Sequence, residues 1–149
     1  MPRTRWSTLA VLTALWVCTV EFALGHDAIL LRRKIMKAVG AATKEARELA
    51  RGERAFDAAR ASAQMTLIAN GWTEAAKLFP EGSHAGARTR AAPEIWTNLA
   101  DFQAQGERMA QLASRAAAAA GEGHAAFTAA FEELSVTCKG CHRTYMTRD

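Results

Sequence analysis

Four long stretches of the sequence repeat apolar residues at three- and four-residue spacing, while sustained alternation of apolar and polar residues is almost absent. The first spacing places side chains on one face of an α-helix, whereas alternation would indicate a half-buried strand. The stretches cover about 27–51, 56–78, 93–120 and 124–146. The sequence therefore predicts an all-α fold.

Glycine and proline residues separate these stretches. Gly52 follows the first, Pro80 ends the second, and Gly121 to Gly123 form a short turn before the last. The segment 80–92 is the one substantial loop, and Pro93 suits a first helical turn. Four helices of similar length with two short joints and one longer joint predict an antiparallel up-down-up-down four-helix bundle.

The N-terminus has the pattern of a secretory signal peptide. Two arginines in residues 1–5 precede an apolar run over 7–20, and the small-residue pattern Ala23-Leu24-Gly25 follows. Such a run is short for a membrane span of roughly 20 residues, although an uncleaved anchor is the alternative. We therefore expect residues 1–25 to be a signal peptide and 26–149 the mature domain. Cleavage would also remove Cys18.

Composition and charge exclude several function classes. The net charge is only +4, and acidic and basic residues are interspersed on the predicted helix surfaces. The sequence has no helix-turn-helix, no aromatic RNA-binding motif and no basic stripe, so no nucleic-acid partner is expected. A mildly basic surface favours an acidic protein partner. No constellation of nucleophile and general base is present, so we predict no substrate-converting enzyme.

The chemistry of the chain is concentrated in Cys138-Lys-Gly-Cys141-His142. Two thiols at positions i and i+3 of a helix can reach the two vinyl groups of one haem and form thioether bonds with them. The adjacent imidazole of His142 then lies where it can bind the iron from one face. The motif after an export signal predicts one covalently attached haem c, with Cys138 and Cys141 as anchors and His142 as proximal axial ligand.

Three other interpretations of the cysteine pair are weaker. A thioredoxin-like redox pair belongs near a βαβ unit, which this sequence lacks. A zinc site needs a fourth ligand, and the available His84 and His124 fall in predicted turns. A disulfide across two intervening residues would close a very short loop and constrain little of the chain.

With these motifs, the chain resembles the cytochrome c′ and cytochrome c-556 family of class II c-type cytochromes. The resemblance covers essentially 27–148. Beyond the haem motif, it rests on 32–36 in the first helix, 56–59 opening the second, 92–96 with Phe102 in the third, and Tyr145 three residues after His142. The family implies a cytochrome c′-like bundle. Many cytochromes c′ have a basic residue directly after that tyrosine, where this chain has Met146.

The resemblance also implies roles for two residues of the first helix. The family residue four positions after the helix-one arginine approaches the distal haem face, and here the pair is Arg32 and Met36. In c-556-like members this methionine is the sixth iron ligand, whereas Met36 as a core filler is the plain alternative. Arg32 is a candidate partner for a haem propionate, or else a solvated arginine.

The resulting prediction is a periplasmic c-type cytochrome that carries single electrons through a His/Met-ligated haem c to and from periplasmic redox proteins. The first alternative is a five-coordinate cytochrome c′ that binds NO or CO, with Met36 not ligating. The second is a haem-free metal-binding or scaffold bundle. The family further suggests a homodimer through the first two helices, which the sequence alone does not decide.

Overall fold

The computed structural model describes residues 7–85 and 87–147, with side chains from Gly25 onward. Five α-helices follow each other along the chain, and a turn of 3₁₀-helix at Ala120–Glu122 precedes the last. They are α1 (Ser7–Ala50), α2 (Ala58–Ala75), α3 (Glu94–Thr97), α4 (Leu99–Ala119) and α5 (His124–Tyr145). The four long helices pack as a ring in which α2 contacts α1 and α4, and α5 contacts α4 and α1. The predicted all-α four-helix bundle is confirmed.

The predicted apolar faces point into the bundle. Ile29 and Ala46 of α1, Met65 and Ile68 of α2, and Met109 and Ala113 of α4 are fully buried. The last helix contributes Phe127, Phe131 and Leu134 in the same way. Burying each such large side chain stabilises the fold by about 1.5–3 kcal/mol before the loss of chain entropy.

The first helix differs from the prediction at its start. The apolar pattern predicted a helix that begins near Asp27, but α1 already starts at Ser7. No proline interrupts the apolar segment before Asp27, so the helix continues through it, and Asp27 is an exposed helical residue. Within the described residues no helix carries an apolar stretch long enough to cross a membrane.

The third predicted helix is divided in two. Asn98 has a non-helical backbone (φ −130°, ψ 42°) between α3 and α4. Its side-chain amide donates to the carbonyl of Glu94 at 3.2 Å and to Oγ1 of Thr97 at 3.1 Å. A short amide side chain that bonds to the local backbone in this way competes with helix continuation.

The predicted loop closes one end of the bundle. It runs from α2 to α3, and its end pairs in antiparallel fashion with the residues that follow α5. The amide of Ala92 donates to the carbonyl of Tyr145 at 3.1 Å, and the amide of Thr147 donates to the carbonyl of Arg90 at 2.9 Å. The loop is thereby fixed beside the end of α5 that carries the cysteines.

Candidate functional site

A cavity of about 650 Å³ lies between α1, α2, α5 and this loop. Ligand cavities commonly have volumes of about 300–1,000 Å³, so this one has room for a cofactor. All five site residues predicted from the sequence line it, namely Arg32, Met36, Cys138, Cys141 and His142. The fold thus brings together residues from α1 and α5 that are more than a hundred positions apart in sequence.

The two cysteines are free thiols on the wall that α5 contributes. Cys141 is buried and Cys138 half-buried. Burial raises the pKa of both thiols, that of Cys141 to about 11, because an apolar environment disfavours the thiolate. The repulsion that an ionised Cys138 and the carboxylate of Asp101 exert on a Cys141 thiolate raises the pKa of Cys141 further. Both sulfurs therefore present neutral S–H groups to the cavity at neutral pH.

His142 follows Cys141 directly and also lines the cavity, although part of the residue is exposed. Desolvation lowers the pKa of its imidazole, and the positive charge of Arg90 lowers it further. The neutral ring has a free nitrogen lone pair, which is the form that binds iron.

Met36 is half-buried on the cavity wall formed by α1. It lies one helical turn after Arg32, as the i, i+4 spacing predicts. Its neighbours in the wall include Val39 and Gly40, one turn further along α1. A flexible thioether therefore faces the same space as the thiols and the imidazole of α5.

The guanidinium of Arg32 is buried and bound to the loop. Nη1 donates to the carbonyl of Leu78 at 3.2 Å and to Oγ of Ser83 at 3.0 Å. Nη2 donates to the carbonyl of Ser83 at 2.7 Å and to Oγ1 of Thr89 at 2.9 Å. The group also lies over the ring of Phe79, 4.7 Å from its centroid.

Burial lowers the pKa of Arg32 to about 10, and the group remains a cation at neutral pH. Through these contacts Arg32 fixes the loop against α1, a role that the sequence does not reveal. Because Arg32 also lines the cavity, its pairing with a haem propionate stays a prediction.

Several cavity residues could not be found from the sequence. Among the aromatic residues of the bundle, Trp72, Phe79 and Phe102 line the cavity, whereas Trp96, Phe127 and Phe131 do not. The loop contributes 88–91, for which no motif exists. Ser135 was also missed, although its position three residues before Cys138 places it on the same face of α5.

The cavity fits a haem in its chemistry as well as in its size. Most of its lining is apolar, and the thiols, the imidazole and the thioether are the groups by which c-type haem is attached and ligated. Two buried polar atoms of lining residues, Nε1 of Trp72 and Oγ of Ser135, have no hydrogen-bond partner among the described residues. Unsatisfied buried polar groups are rare, so an absent partner is a reasonable explanation.

The histidines weighed as zinc ligands lie elsewhere. Nε2 of His124 is 3.0 Å from the carbonyl oxygens of Leu49 and Ala50, and the ring of His84 contacts that of Trp96. Neither lines the cavity. Throughout the described ranges, no group of three or more His, Cys, Asp or Glu side chains is arranged to hold a metal ion.

Comparison with known proteins gives one consistent result. The model of the family described as Cytochrome C′ matches residues 27–146. Cytochrome c′ of Rhodopseudomonas palustris is 32% identical over 143 residues, which are 94% of this chain and 96% of the relative. Cytochrome c-556 of Agrobacterium tumefaciens (strain II Chrys) is 31% identical over 114 residues, 76% of this chain and 92% of the relative.

Solved structures agree with the sequence relatives. The structure of cytochrome c′ from Rhodopseudomonas palustris superposes with a TM-score of 0.76 at 31% identity, covering 83% of this chain and 98% of that one. The structure of cytochrome c prime from Shewanella frigidimarina gives a TM-score of 0.77 at 26% identity, with 83% and 97% covered.

Proposed function

Since the chain belongs to the cytochrome c′ family, we propose that it is an exported one-electron carrier with a single His/Met-ligated haem c. A covalently attached haem c is the cofactor of this family. The observation that carries the proposal is the single apolar cavity lined by Met36 from α1 and by Cys138, Cys141 and His142 from α5.

Cys138 and Cys141 are the proposed attachment points. Each thiol would add its S–H across one vinyl group of a bound haem, which gives a thioether without any net oxidation. The neutral state of both sulfurs in the cavity means that no thiolate must be buried for the cofactor to be accommodated. His142 is the proposed proximal ligand through its unprotonated ring nitrogen.

Met36 is the proposed distal ligand. Met36 is half-buried and lines the cavity from α1, whereas His142 lines it from α5. A thioether ligand opposite a histidine raises the reduction potential relative to ligation by two histidines. Met146 also lines the cavity, but it lies next to the α5 end that carries His142. Met36 is therefore the better-placed methionine for the distal face.

The residues around the cavity support electron transfer by excluding water and by anchoring the cofactor. When bound, haem supplies the one-electron Fe(III)/Fe(II) couple. Trp72, Phe79 and Phe102 help to exclude water from the cavity, and the covalent anchors keep the cofactor in place through each cycle.

Export is proposed from the sequence of residues 1–25, whose side chains lie outside the described residues. The proposed periplasmic location agrees with the attachment of haem c after export. N-terminal sequencing of the mature protein tests it. A start at or near His26 is expected, and retention of residues 1–25 would indicate the uncleaved anchor.

The homodimer suggested by the resemblance remains a proposal that the surface supports. Leu30, Leu31 and Leu67 are between 42% and 48% exposed on α1 and α2. We expect Leu67→Glu to lower the sedimentation coefficient of the holoprotein to that of a monomer. A wild-type protein that already sediments as a monomer would contradict the dimer.

The axial ligands are tested by absorption spectra of the oxidised and dithionite-reduced holoprotein. We expect a low-spin spectrum with a near-infrared methionine-to-iron charge-transfer band in the oxidised form, and loss of that band in Met36→Leu. The matched control is Met65→Leu, because Met65 is fully buried but does not line the cavity. The control should retain the band.

Three outcomes would contradict parts of this proposal. A broad high-spin spectrum of the reduced wild-type protein with rapid binding of NO or CO would favour the gas-binding alternative. Persistence of the near-infrared band in Met36→Leu would assign the ligand elsewhere. Absence of covalent haem after expression with a working cytochrome maturation pathway would favour the haem-free bundle.

A further inference from the structure

The charged residues that line the cavity have one sign. Six of them are basic and none is acidic, although the whole chain has 15 carboxylate residues against 19 lysines and arginines. Arg32 is buried in its bonds to the loop, whereas the other five are exposed. We call these five the basic rim: Arg33 and Arg47 of α1, Arg88 and Arg90 of the loop, and Lys139 of α5.

The basic rim is assembled from three separate elements. Its members are up to 106 positions apart in sequence, so no basic stripe is visible in the sequence itself. Cations elsewhere on the bundle pair with carboxylates, as Arg54 does with Glu48 and Arg115 with Glu133. The carboxylate of Asp101 accepts a hydrogen bond from the lining residue Tyr145 and does not itself line the cavity.

Neutralisation of the cofactor does not account for the whole basic rim. A haem has two propionate groups, which could pair with two of the five exposed cations, and Arg90 also donates to the carbonyl of Thr147. Two further exposed cations remain, and because they are exposed while they line the cavity, we expect them to lie where it meets solvent. Charge of one sign around a cleft raises the local concentration of oppositely charged molecules and their association rates by about 10- to 1,000-fold.

We propose that the basic rim is the docking surface for a one-electron carrier protein with an acidic face around its own redox centre. This inference rests on the proposed electron-transfer function and names the class of its partner. Complementary charges bring the two openings together and orient the encounter. One electron then passes from the reduced to the oxidised protein, and no bond is made or broken.

The test compares charge reversal at the basic rim with charge reversal elsewhere. Arg88→Glu and Arg47→Glu change rim residues outside the haem motif. Arg108→Glu changes an exposed residue of α4 that does not line the cavity, and it alters the net charge by the same amount. Stopped-flow reduction of the oxidised holoproteins by reduced plant-type ferredoxin, an acidic iron–sulfur protein, gives the bimolecular rate constants.

We expect the wild-type rate constant to fall steeply with ionic strength because salt screens the attraction. Each rim variant should react roughly 5- to 20-fold more slowly at low salt and show a flatter salt dependence, while Arg108→Glu changes the rate less than twofold. Amide chemical shifts measured with the oxidised, non-reacting ferredoxin provide a readout of binding alone. They should move near residues 88–91 and 139 and not near 108.

Equal effects of the rim and control variants would overturn the proposal, because net charge alone would then explain the rates. A wild-type rate that is insensitive to salt would overturn it as well. Failure of the proposed function has a different signature, namely absence of reversible one-electron reduction by any reagent, including uncharged ones. A rate constant with the hexaammineruthenium cation that falls as salt is added, when repulsion by the basic rim should make it rise, would show that the accessible edge does not lie within the basic rim.

Discussion

The hydroxyl of Tyr145, the only tyrosine of the chain, donates a 2.5 Å hydrogen bond to the carboxylate of Asp101. This bond connects the last residue of α5 with the first turn of α4, and the ring of Phe102 packs edge-on against that of Tyr145. The contact fixes the end of the helix that carries Cys141 and His142. It therefore couples the geometry of the site to the packing of the bundle.

The hydrogen bond between Tyr145 and Asp101 should make the free energy of unfolding fall at alkaline pH. The hydrogen bond to Asp101, followed by burial, raises the pKa of Tyr145 to about 12 from an ordinary value of about 10. The folded state thus retains the proton more strongly than the unfolded state. The resulting stabilisation is complete below pH of about 10 and is lost as the pH rises through about 12.

Titration of tyrosinate absorbance, with Tyr145→Phe as the blank, should give a midpoint near 12 for the wild type and a lower one for Asp101→Asn. Urea unfolding at neutral and alkaline pH should show the corresponding loss of stability in the wild type only. A wild-type midpoint near 10 would show that the bond does not persist in solution.

Arg32→Lys should loosen the loop that borders the site. Lysine cannot reproduce the planar fork whose two terminal nitrogens bond Leu78, Ser83 and Thr89. Hydrogen bonds to charged groups contribute about 1.5–3 kcal/mol each, so a loss of about 2–3 kcal/mol in the free energy of unfolding is expected. Hydrogen exchange at Ser83 should accelerate, because its amide lies in the segment that Arg32 holds.

The adjacent Arg33 offers a matched control. It is exposed and makes no hydrogen bond to the described part of the loop, so Arg33→Lys should leave both stability and exchange nearly unchanged. Equal protection of the loop in Arg32→Lys and wild type would show that the arginine fork is dispensable for loop order.

Much of this fold could be predicted from local sequence because helix spacing is a strong and repeated signal. Ile29, Met65, Met109 and Phe127 lie on the apolar faces that the spacing predicts, and all four are fully buried. The break at Asn98 was missed, because it depends on where one amide side chain finds its backbone partners. Helix boundaries are set by such local competition, which composition does not reveal.

The candidate site also contains residues that the sequence predicts and residues that it does not. Cys138, Cys141 and His142 form a local motif, and Met36 and Arg32 entered through a family resemblance; all five line one cavity. The sequence did not predict the contributions of the loop. Arg88 and Arg90 line the cavity, and Ser83 accepts a hydrogen bond from Arg32. These contributions result from tertiary contacts between residues about 50 positions apart, for which a single sequence carries no periodic signal.

Gly71 of α2 should not tolerate a methyl group. A Cβ at this position would lie 2.7 Å from Cγ2 of Val39 and 3.4 Å from Cγ2 of Ile35, so α1 and α2 approach closely there. Val39 cannot easily turn away, because a β-branched side chain has one strongly preferred rotamer in a helix. Overpacking costs about 1–3 kcal/mol, which outweighs the gain of about 1 kcal/mol in helix propensity.

Urea denaturation of the holoprotein should therefore show that Gly71→Ala lowers the free energy of unfolding by about 1 kcal/mol. Gly121→Ala is the control, since a Cβ there meets no atom within 4 Å and the backbone is not left-handed. It should be neutral or slightly stabilising. In the double variant Gly71→Ala/Val39→Ala the clash is absent, so the two changes should cost less together than the sum of their separate effects. Additive costs would refute the close contact.

His124 should stabilise the end of α1 from a different helix. Its Nε2 lies 3.0 Å from the carbonyl oxygens of Leu49 and Ala50, and Oγ1 of Thr128 donates to the same carbonyl of Ala50 at 3.2 Å. These are among the last carbonyls of α1, which have no partner within their own helix. The ring of His124 also packs on Phe56, with 5.0 Å between centroids.

Replacing His124 by alanine should thus cost about 1 kcal/mol for the lost hydrogen bond, because the carbonyls of Leu49 and Ala50 keep the Gly52 amide and the Thr128 hydroxyl as donors. Thermal unfolding of the holoprotein measures this cost. The control is His84→Ala, because His84 is exposed and makes only a ring contact with Trp96. The near-infrared and visible spectra should be the same in both variants, since neither histidine lines the cavity. A spectral change in His124→Ala alone would mean that the end of α1 is coupled to the haem site through Met36 on the same helix.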